Sequence, residues 1–402
     1  MPDALLIALA VAGGVALLAW LACLADPARA WDFRPVGDDG PVPPPPRRWP
    51  DVRIVVPARN EADVLPQTLP ALLAQDYPGA WGVVLVDDRS TDGTAAAARS
   101  LGGGDPRLEL VEGGPLPDGW AGKVWAMAQG VDAATAGAAA PGTAPVWLLL
   151  TDADILHAPG SLARLVAEAE QDGLALNSRM ARLRCDSAAE RLLVPPFVLF
   201  FNLLYPMRRV NDPRSRAAAA AGGCVLVRRD ALAEAGGLAA IRGEIIDDVN
   251  LGRLLKGPVR RGRPGRPIRL QLSRNDVVSL RAYRTLGPLW RMVRRTAFTE
   301  LHHSYALLAV TVAGLALLFA LPPALVPLGV AAAAGGEPGW GAGLAALGAG
   351  GWLATAAVAW RATRFFGLAP GWAFALPLAG LLYGGMTLDS GRQHLLGRRR
   401  AW

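Results

Sequence analysis

The apolar stretch Val146 to Leu150 is followed almost at once by Asp152-Ala153-Asp154. A short apolar run that ends in polar residues predicts a buried β-strand with both carboxylates just beyond its carboxyl end. Residues i and i+2 of an extended chain point to the same side, so the two carboxylates face one way. Carboxylate oxygens are the ligands that hard divalent cations take, and such cations also hold phosphate oxygens. The pattern indicates a metal and diphosphate site, with a plain polar turn as the alternative.

Two earlier segments end in the same way. Arg53 to Val56 and Trp81 to Val86 are each predicted to be short strands, with a predicted helix from Leu65 to Leu73 between them. Their ends lie about 30 residues apart, the size of one βαβ unit. The residues that follow these strands include Pro57, Arg59, Asn60, Glu61, Asp87 and Asp88.

Strands and helices continue to alternate through the first half of the chain. Thr94 to Ser100 and Lys123 to Ala136 are predicted helices that precede the Val146 strand. This alternation predicts an α/β fold, a mainly parallel sheet with helices on both faces. Ligands of such sheets gather beyond the carboxyl ends of the strands, where polar side chains from three strands are expected to meet.

Membrane-like segments lie at the two ends of the chain. The 402 residues are 52% hydrophobic, and the apolar residues are concentrated in Met1 to Leu24 and Tyr305 to Leu388. The first segment lacks the basic start of a cleaved signal peptide, so we predict an uncleaved transmembrane anchor. Four arginines follow it: Arg29, Arg34, Arg47 and Arg48. The positive-inside rule then places the amino terminus outside and the following domain in the cytoplasm.

These features divide the chain into six predicted parts. They are a transmembrane anchor (1–25), a Pro-rich linker (26–50), a cytoplasmic α/β domain (51–280), an amphipathic interfacial segment (281–303), a C-terminal transmembrane region (304–390) and a basic tail (391–402).

The number of C-terminal crossings stays open between two and four. The apolar stretches are about Tyr305 to Ala334, Gly341 to Trp360 and Ala369 to Leu388. Three crossings that start in the cytoplasm would leave the basic run 398–400 outside, against the positive-inside rule. One stretch is therefore re-entrant or interfacial, or the first is two short helices split at Pro322-Pro323.

Charge and cysteine usage exclude some classes of protein. The net charge of +7 is carried by arginine, but no basic helix interleaved with aromatic residues supports nucleic acid as a partner. Anionic lipid and phosphate are the favoured partners. Cys23, Cys185 and Cys224 are isolated, which predicts neither a disulfide framework nor a zinc site and fits a reducing compartment.

Three motifs in this order resemble the inverting family 2 glycosyltransferases with the GT-A fold. They are V-P-A-R-N-E from Val56, V-D-D-R-S-T-D-G from Val86, and D-A-D from Asp152. The segment Gly119 to Ala126, the apolar segment Pro195 to Tyr205 and R-R-T-A-F from Arg294 resemble more narrowly the bacterial hopene-associated glycosyltransferases.

The resemblance implies a donor site. It assigns Asp154, with Asp152, to Mg²⁺ or Mn²⁺, and it favours UDP as the nucleotide. The implied donor-binding residues are Pro57, Arg59, Asn60, Glu61, Asp87, Asp88, Lys123 and Asp152. Solvated acids beside a capped helix are the alternative for Asp87 and Asp88. Lys123 lies at a predicted helix start, where free N–H groups and a cation both suit phosphate.

The resemblance also implies a general base and an acceptor side. Asp247-Asp248 matches the family's E-D-x-x-L pattern with Asp in place of the commoner Glu, and we favour Asp248 as the base with Asp247 orienting it. An ordinary acidic first helical turn is the alternative. The acceptor side is assigned to Gly222, Gly223 and Cys224, with a plain turn into a strand as the alternative. The Q-x-x-R-W motif of processive members has no match, which predicts transfer of one residue.

Two further segments point to a lipid acceptor. Leu192 to Met207 is apolar but interrupted by Pro195 and Pro196, and Leu286 to Leu301 is amphipathic with interleaved arginines, as expected at a membrane surface. The resemblance suggests a hopanoid, while a polyprenyl phosphate or a diacylglycerol stays open, as does the alternative that both segments complete a core. We therefore predict a multi-pass protein of the bacterial inner membrane. An inactive GT-A scaffold in a lipid-synthesis complex is the alternative outside enzymes.

Overall fold

The computed structural model describes residues 3–37, 43–136 and 145–397. Part of the predicted linker (38–42) and the end of the predicted basic tail (398–402), with its run of three arginines, lie outside these residues. The strands are β1 (Val52–Ala58), β2 (Trp81–Asp87), β3 (Leu108–Glu112), β4 (Trp147–Thr151), β5 (Ile155–His157), β6 (Leu176–Met180), β7 (Cys224–Arg228), β8 (Ile268–Leu272) and β9 (Val277–Ser279).

The α-helices follow the same chain order. They are α1 (Asp3–Ala25), α2 (Leu65–Leu73), α3 (Thr94–Gly102), α4 (Gly122–Thr135), α5 (Ser161–Gln171), α6 (Ala188–Leu204), α7 (Met207–Val210), α8 (Arg229–Glu234), α9 (Asp247–Lys256), α10 (Leu286–Glu300), α11 (Tyr305–Leu315), α12 (Leu321–Ala334), α13 (Pro338–Phe365) and α14 (Leu376–Leu395). A π-helical turn, Ala316–Ala320, joins α11 to α12, and 3₁₀ turns occupy Leu238–Ile241 and Pro370–Ala375.

The chain divides into two compact units. The sheet-containing unit comprises Arg34–Arg184 and Met207–Ala282. Its main sheet has seven strands in the order β3-β2-β1-β4-β7-β6-β8, and β5 pairs with β9 in a second, two-stranded sheet. Strands β3, β2, β1 and β4 run parallel, whereas β7 is antiparallel to both of its neighbours. The predicted α/β class with a mainly parallel sheet is confirmed.

The core of this unit lies between the sheet and its helices. Strands β2 and β4 are buried along almost their whole length, as expected for parallel strands covered on both faces. Side chains of α2, α5 and the central strands form one apolar cluster, with Leu69, Leu85 and Leu162 nearly or fully inaccessible. Strand β3 was not predicted. It is a short, half-buried strand at the edge of the sheet, and its sequence L-E-L-V-E lacks the continuous apolar run by which the other strands were located.

The helical unit comprises described residues within Met1–Phe33, Cys185–Pro206 and Tyr283–Arg400. Five apolar segments among the described residues are long enough to cross a membrane, judged by length and composition: Asp3–Ala25, Ala188–Val210, Tyr305–Ala334, Pro338–Phe365 and Pro370–Leu395. All belong to the helical unit except the last four residues of Ala188–Val210. The fold therefore carries candidate transmembrane helices at both ends, as predicted.

Segment 185–206 belongs to the helical unit, although the sequence placed it inside the 51–280 domain. Helix α6 runs unbroken through Pro195 and Pro196, which the sequence analysis treated as an interruption. A capping box formed by Ser187 and Glu190 fixes its start, and tertiary packing buries both prolines. Helix propensity alone underestimates such a segment, because packing supplies most of the stability of a helix inside a protein.

The start of the predicted linker also belongs to the helical unit. Asp32 is buried and pairs with Arg361 at 3.3 Å, and Asn202 of α6 donates a hydrogen bond to the Ala30 carbonyl. Residues 26–33 therefore pack as part of a folded unit. Tyr305–Ala334 is likewise one continuous helical segment, since the π-helical turn rather than a break precedes Pro322-Pro323.

Candidate active site

The carboxyl ends of β1, β2 and β4 lie side by side. In the parallel registers Ala58 pairs with Asp87, and Val55 pairs with Leu150. The residues after each strand consequently emerge at one edge of the sheet. The structure brings the polar groups of the three strand ends together, as the sequence predicted.

Asn60 joins the loops that follow β1 and β2. Its backbone N–H donates to Ser90 Oγ at 2.9 Å, and its Oδ1 accepts from the Thr91 N–H at 2.8 Å. Asn60 has a φ of 56°, a left-handed conformation that Asn tolerates better than most residues. These contacts hold the loop after β1 against the loop after β2.

The two acids after β2 have different environments. Asp88 is buried and pairs with Arg59 at 3.3 Å and Arg89 at 3.5 Å. Asp87 is half-buried, and its Oδ1 accepts a long hydrogen bond from the Ser90 N–H at 3.4 Å. Asp87 is therefore the more available of the two for a ligand, while Asp88 holds the arginines of the loop.

Asp154 lies at the centre of a second group. It is 5% exposed, and its Oδ2 accepts from Ser279 Oγ at 2.8 Å and from Arg281 Nε at 3.2 Å. The same arginine donates through Nη2 to Glu61 at 2.6 Å. Arg281 thus links the loop after β1 to the loop after β4. Ser279 and Arg281 were missed by the sequence analysis, since one arginine after a short strand is too weak a signal.

Lys123, in the first turn of α4, connects the donor side to the predicted base. Its Nζ lies 2.7 Å from Asp152 Oδ1 and 3.5 Å from Asp247 Oδ2. Burial alone would lower the pKa of Lys123, but the carboxylates of Asp152 and Asp247 outweigh burial and raise it. The lysine is therefore a permanent cation between two acids.

Asp248 lies in the first turn of helix α9 and is held by two backbone donors. The Gly222 N–H donates to its Oδ2 at 3.0 Å, and the Val249 N–H donates to its Oδ1 at 2.8 Å. Burial and then the charge of Asp247 raise the pKa of Asp248 to about 6, against a smaller opposing effect of Lys123. A carboxylate with this pKa is ionised at neutral pH yet more basic than an ordinary aspartate.

The segment before Gly222 is fixed against α9 at two further points. Lys256, the last residue of α9, is buried, and its Nζ donates to the carbonyls of Val210, Asp212 and Ala217 at 2.6–2.9 Å. A Cβ on Gly252 would lie 2.5 Å from the Ala219 carbonyl carbon, so helix and segment touch backbone to backbone. These contacts set where Gly222 meets Asp248.

The three residues assigned to the acceptor side separate in the structure. A Cβ on Gly222 would lie 3.1 Å from Lys123 Nζ, so this glycine borders the charged cluster. The Gly223 carbonyl accepts from Thr151 Oγ1 at 2.7 Å. Cys224 is fully buried in the core of the sheet, which raises its pKa to about 12, so its side chain does not face an acceptor. Pro57 is also buried, within β1.

Among the described residues no group of three or more His, Cys, Asp or Glu side chains is arranged to hold a metal ion. The two carboxylates predicted to bind a metal are those of Asp152 and Asp154. Burial and the charge of Asp154 raise the pKa of Asp152 even though Lys123 opposes them. The cluster is thus short of positive charge, which suits a cation held by two protein carboxylates and by oxygens of a substrate.

Comparison with known proteins gives three results. Residues 53–236 match the model of glycosyl transferase family 2. The succinoglycan biosynthesis protein ExoU of Rhizobium meliloti (strain 1021) is 33% identical over 127 residues, which cover 32% of this chain and 33% of that protein. The matched segment therefore spans about a third of that curated relative.

The third result is a likeness of fold. The structure of the mannosyltransferase PcManGT from Pyrobaculum calidifontis, in complex with GDP-Man and Mn²⁺, superposes with a TM-score of 0.54 at 21% identity. The alignment covers 99% of this chain and 100% of that one. This likeness of fold supports the predicted GT-A architecture.

Proposed function

We propose that this chain, of which residues 53–236 match the model of glycosyl transferase family 2, transfers one sugar from a nucleotide sugar to a lipid. The observation that carries the proposal is the continuous ion-pair chain from Asp152 through Lys123 to Asp247, beside Asp248. In this cluster we assign Asp152 to the donor side, Lys123 to the phosphates and the raised-pKa carboxylate of Asp248 to proton removal. A transfer from a nucleotide sugar would use all three groups.

The donor is assigned to the edge formed by β1, β2 and β4. Asp87 is the available acid for the nucleoside, and Asn60, Arg59 and Asp88 hold the loop that surrounds it. Lys123 is assigned to the diphosphate, because it is a permanent cation in the first turn of α4. UDP is the nucleotide to test first, and GDP-mannose is the second, since the mannosyltransferase of similar fold was solved with it.

We assign Mg²⁺ or Mn²⁺ to Asp154 and Asp152. Their carboxylates fit such an ion, since Asp152 is only partly neutralised by Lys123 and Asp154 is oriented by Ser279 and Arg281. When bound, the ion would neutralise the charge that a diphosphate develops as it leaves.

Asp248 is assigned as the general base. The acceptor hydroxyl must lose a proton as it attacks the anomeric carbon, and one positioned carboxylate removes it. The N–H groups of Gly222 and Val249 hold both oxygens of Asp248 in place. Attack from the face opposite the leaving diphosphate inverts the anomeric centre, so a single base is sufficient.

A lipid acceptor is supported by the helical unit. Five apolar segments of sufficient length among the described residues support a membrane location, which would bring the enzyme to a substrate that stays in the bilayer. We propose the bacterial inner membrane with the catalytic domain in the cytoplasm, on the positive-inside argument. A hopanoid is the first acceptor to test, and a polyprenyl phosphate is the second.

The test is to identify the product of the detergent-purified chain. The protein is incubated with UDP- and GDP-sugars, Mg²⁺ or Mn²⁺, and extracted bacterial lipid or defined hopanoid and polyprenyl phosphate. Mass spectrometry names the glycosylated lipid, and NMR gives the configuration of the new bond. The proposal predicts one added sugar with inverted configuration. A water-soluble acceptor that is used equally well without lipid would contradict the lipid assignment, and retained configuration would contradict the role of Asp248.

A further inference from the structure

Helix α14 runs antiparallel to the first half of the Tyr305–Ala334 segment. Three contacts set its register: Gly391 with Leu308, Gly384 with Leu315, and Gly380 with Phe319. The residue number falls from 391 to 380 along α14 while it rises from 308 to 319 along the partner. The Tyr305 hydroxyl also donates to the Gly391 carbonyl at 3.4 Å. The carboxyl end of α14 therefore lies where α11 begins.

The opposite end of this segment stops about halfway along the bundle. Trp352 Nε1 donates to the Phe374 carbonyl at 3.0 Å, just before α14 starts at Leu376. Trp352 lies in the middle of α13, where a Cβ on the adjacent Gly351 would meet Pro322 at 3.0 Å. Pro322 is itself near the middle of Tyr305–Ala334. Phe374 is thus at mid-depth, although Pro370–Leu395 is long enough to cross a membrane.

Three other segments do extend through the whole bundle. Along α1, Trp20 Nε1 donates to the Leu318 carbonyl at 3.1 Å, and the earlier Gly13 contacts Leu325. Leu6, near the start of α1, packs in one cluster with Leu325 and Ala332. Helix α13 follows α12 closely in the opposite direction, with Gly341 against Ala333 at its start. Helix α1, Tyr305–Ala334 and α13 therefore have the contacts of full crossings.

We infer that Pro370–Leu395 is a re-entrant hairpin, which enters the membrane to about half its depth and returns to the face from which it came. The described part of the chain then crosses three times, and the carboxyl end of α14 lies on the same side as the end of α1. Helix α14 has 20 residues and is about 30 Å long. Only about 15 Å of it is needed to leave a half-depth position, so its second half extends beyond the hydrocarbon.

The charges of the helical unit agree with this topology. The face that carries the ends of α1, α13 and α14 has Arg29, Arg361, Arg364 and Arg392. The opposite face, in the described part of the chain, has only the acids Asp3 and Glu337 at its ends and turn. Cytoplasmic faces are enriched in arginine, so the arginine-rich face is cytoplasmic. A full crossing by Pro370–Leu395 would instead move Arg392 to the other face.

The charged residues of α14 lie in its second half, as this topology requires. Asp389 accepts from Trp290 Nε1 at 2.8 Å and pairs with Arg294 at 3.3 Å, both on α10. A charged side chain is costly in the hydrocarbon core. In the re-entrant arrangement Asp389 and Arg392 lie in the part of α14 beyond that core.

Helix α6 has both of its ends at the arginine-rich face. Asn202, near its end, binds the Ala30 carbonyl just after α1. Arg191, near its start, lines a small cavity with Thr363, close to the end of α13. Helix α6 therefore adds no crossing, and the count remains three.

Labelling of single cysteines with a membrane-impermeant maleimide tests this topology in the full chain. Cys23, Cys185 and Cys224 are first replaced, and Leu396→Cys then reports the end of the hairpin. Arg364→Cys is the reference for the arginine-rich face, and Glu337→Cys is the reference for the opposite face. We expect Leu396→Cys to react like Arg364→Cys, in inside-out vesicles and not in intact cells. Reaction together with Glu337→Cys from outside would overturn the inference.

A second measurement does not depend on removing the buried Cys224. A green fluorescent protein or an alkaline phosphatase is fused after residue 402 of the otherwise unchanged chain. Fluorescence without phosphatase activity is expected for a cytoplasmic carboxyl end, and the reverse would overturn the hairpin. Neither readout depends on glycosyl transfer, so both remain informative if the proposed activity is wrong.

Discussion

The Gly222 N–H donates a hydrogen bond to Oδ2 of Asp248 at 3.0 Å, and this contact joins two segments that are 26 residues apart in the chain. It orients the carboxylate that we assign as the general base. Lys123 also lies beside this glycine, with its Nζ 3.1 Å from where a Cβ on Gly222 would be. The backbone at Gly222 therefore lies beside both the base and the donor-side cation.

Gly222→Ala should lower kcat without unfolding the protein. The added methyl group would lie 3.1 Å from Lys123 Nζ, so the ammonium must shift, and it would contact Asp248 Oδ2 at 3.5 Å. We expect kcat to fall roughly tenfold, the order of effect that a small misplacement of a catalytic group produces. Gly160→Ala is the matched control, because a Cβ there meets nothing within 4 Å. Equal kcat values for the two variants would contradict the assignment.

The pH dependence of kcat/KM should show an acid limb near pH 6. Burial and the charge of Asp247 raise the pKa of Asp248 to about 6, and only its ionised form accepts a proton. Activity should consequently rise through pH 6 as Asp248 ionises. Asp247→Asn removes a negative neighbour, which lowers the pKa of Asp248 and moves the limb to lower pH. A limb that stays in place would show that another group titrates.

Lys123→Met should move the same limb in the opposite direction. The ammonium lowers the pKa of Asp248, so its loss raises that pKa and moves the limb above pH 6. The variant should also bind the nucleoside diphosphate at least tenfold more weakly, since a phosphate-binding cation is lost. Calorimetry measures the binding, and pH profiles measure the limb. Unchanged diphosphate affinity would remove Lys123 from the donor site.

Arg281→Gln should reduce kcat/KM about tenfold while hardly changing stability. Arg281 is about half exposed, with 47% of its side chain accessible, so its ion pairs contribute roughly 1 kcal/mol or less to folding. Its role is to orient Asp154 and Glu61. Arg228→Gln is the matched control, since Arg228 forms a similarly exposed ion pair with Asp230. A similar loss in both variants would deny Arg281 a specific role.

Lys256→Met should destabilise the sheet-containing unit. The ammonium binds three carbonyls in a buried position, and those carbonyls would lose their donor. Leaving such groups unpaired costs on the order of 1–3 kcal/mol each before relaxation. We expect the thermal midpoint in detergent to fall by roughly 5–10 °C. A midpoint within about 1 °C of the wild type would mean that water or other donors replace the lysine.

The sequence predicted those parts of the site that follow from strand ends. Apolar runs closed by acids locate β1, β2 and β4 within one or two residues, and parallel pairing then brings Asp87 and Asp152 to one edge. The pairing of Lys123 with Asp247 depends on how α4 and α9 pack, and no local pattern encodes it. Arg281 reaches Asp154 from 127 residues away for the same reason.

The sequence was a weaker guide to the helical unit. Proline in a helical pattern predicts a break, but α6 keeps its helix through two prolines because both are buried by packing. The apolar length of Pro370–Leu395 predicts a crossing, whereas its contacts put the carboxyl end of α14 beside the start of α11 and Phe374 beside Trp352 in the middle of α13. Length and composition show whether a segment is able to span a membrane, whereas its tertiary contacts show which path it takes.

Lipid-dependent release of nucleoside diphosphate is the direct test of sugar transfer from a nucleotide sugar to a lipid. Purified wild-type protein is compared with Asp154→Asn, Asp248→Asn and the control Asp105→Asn, whose carboxylate pairs with Arg107 in the loop before β3, with and without extracted lipid. We expect lipid to stimulate release by the wild-type protein. The release rate should fall at least a hundredfold in Asp154→Asn and Asp248→Asn, and the control should stay within twofold of the wild type. Wild-type rates in Asp248→Asn, or release that no donor sugar supports, would contradict the proposed transfer.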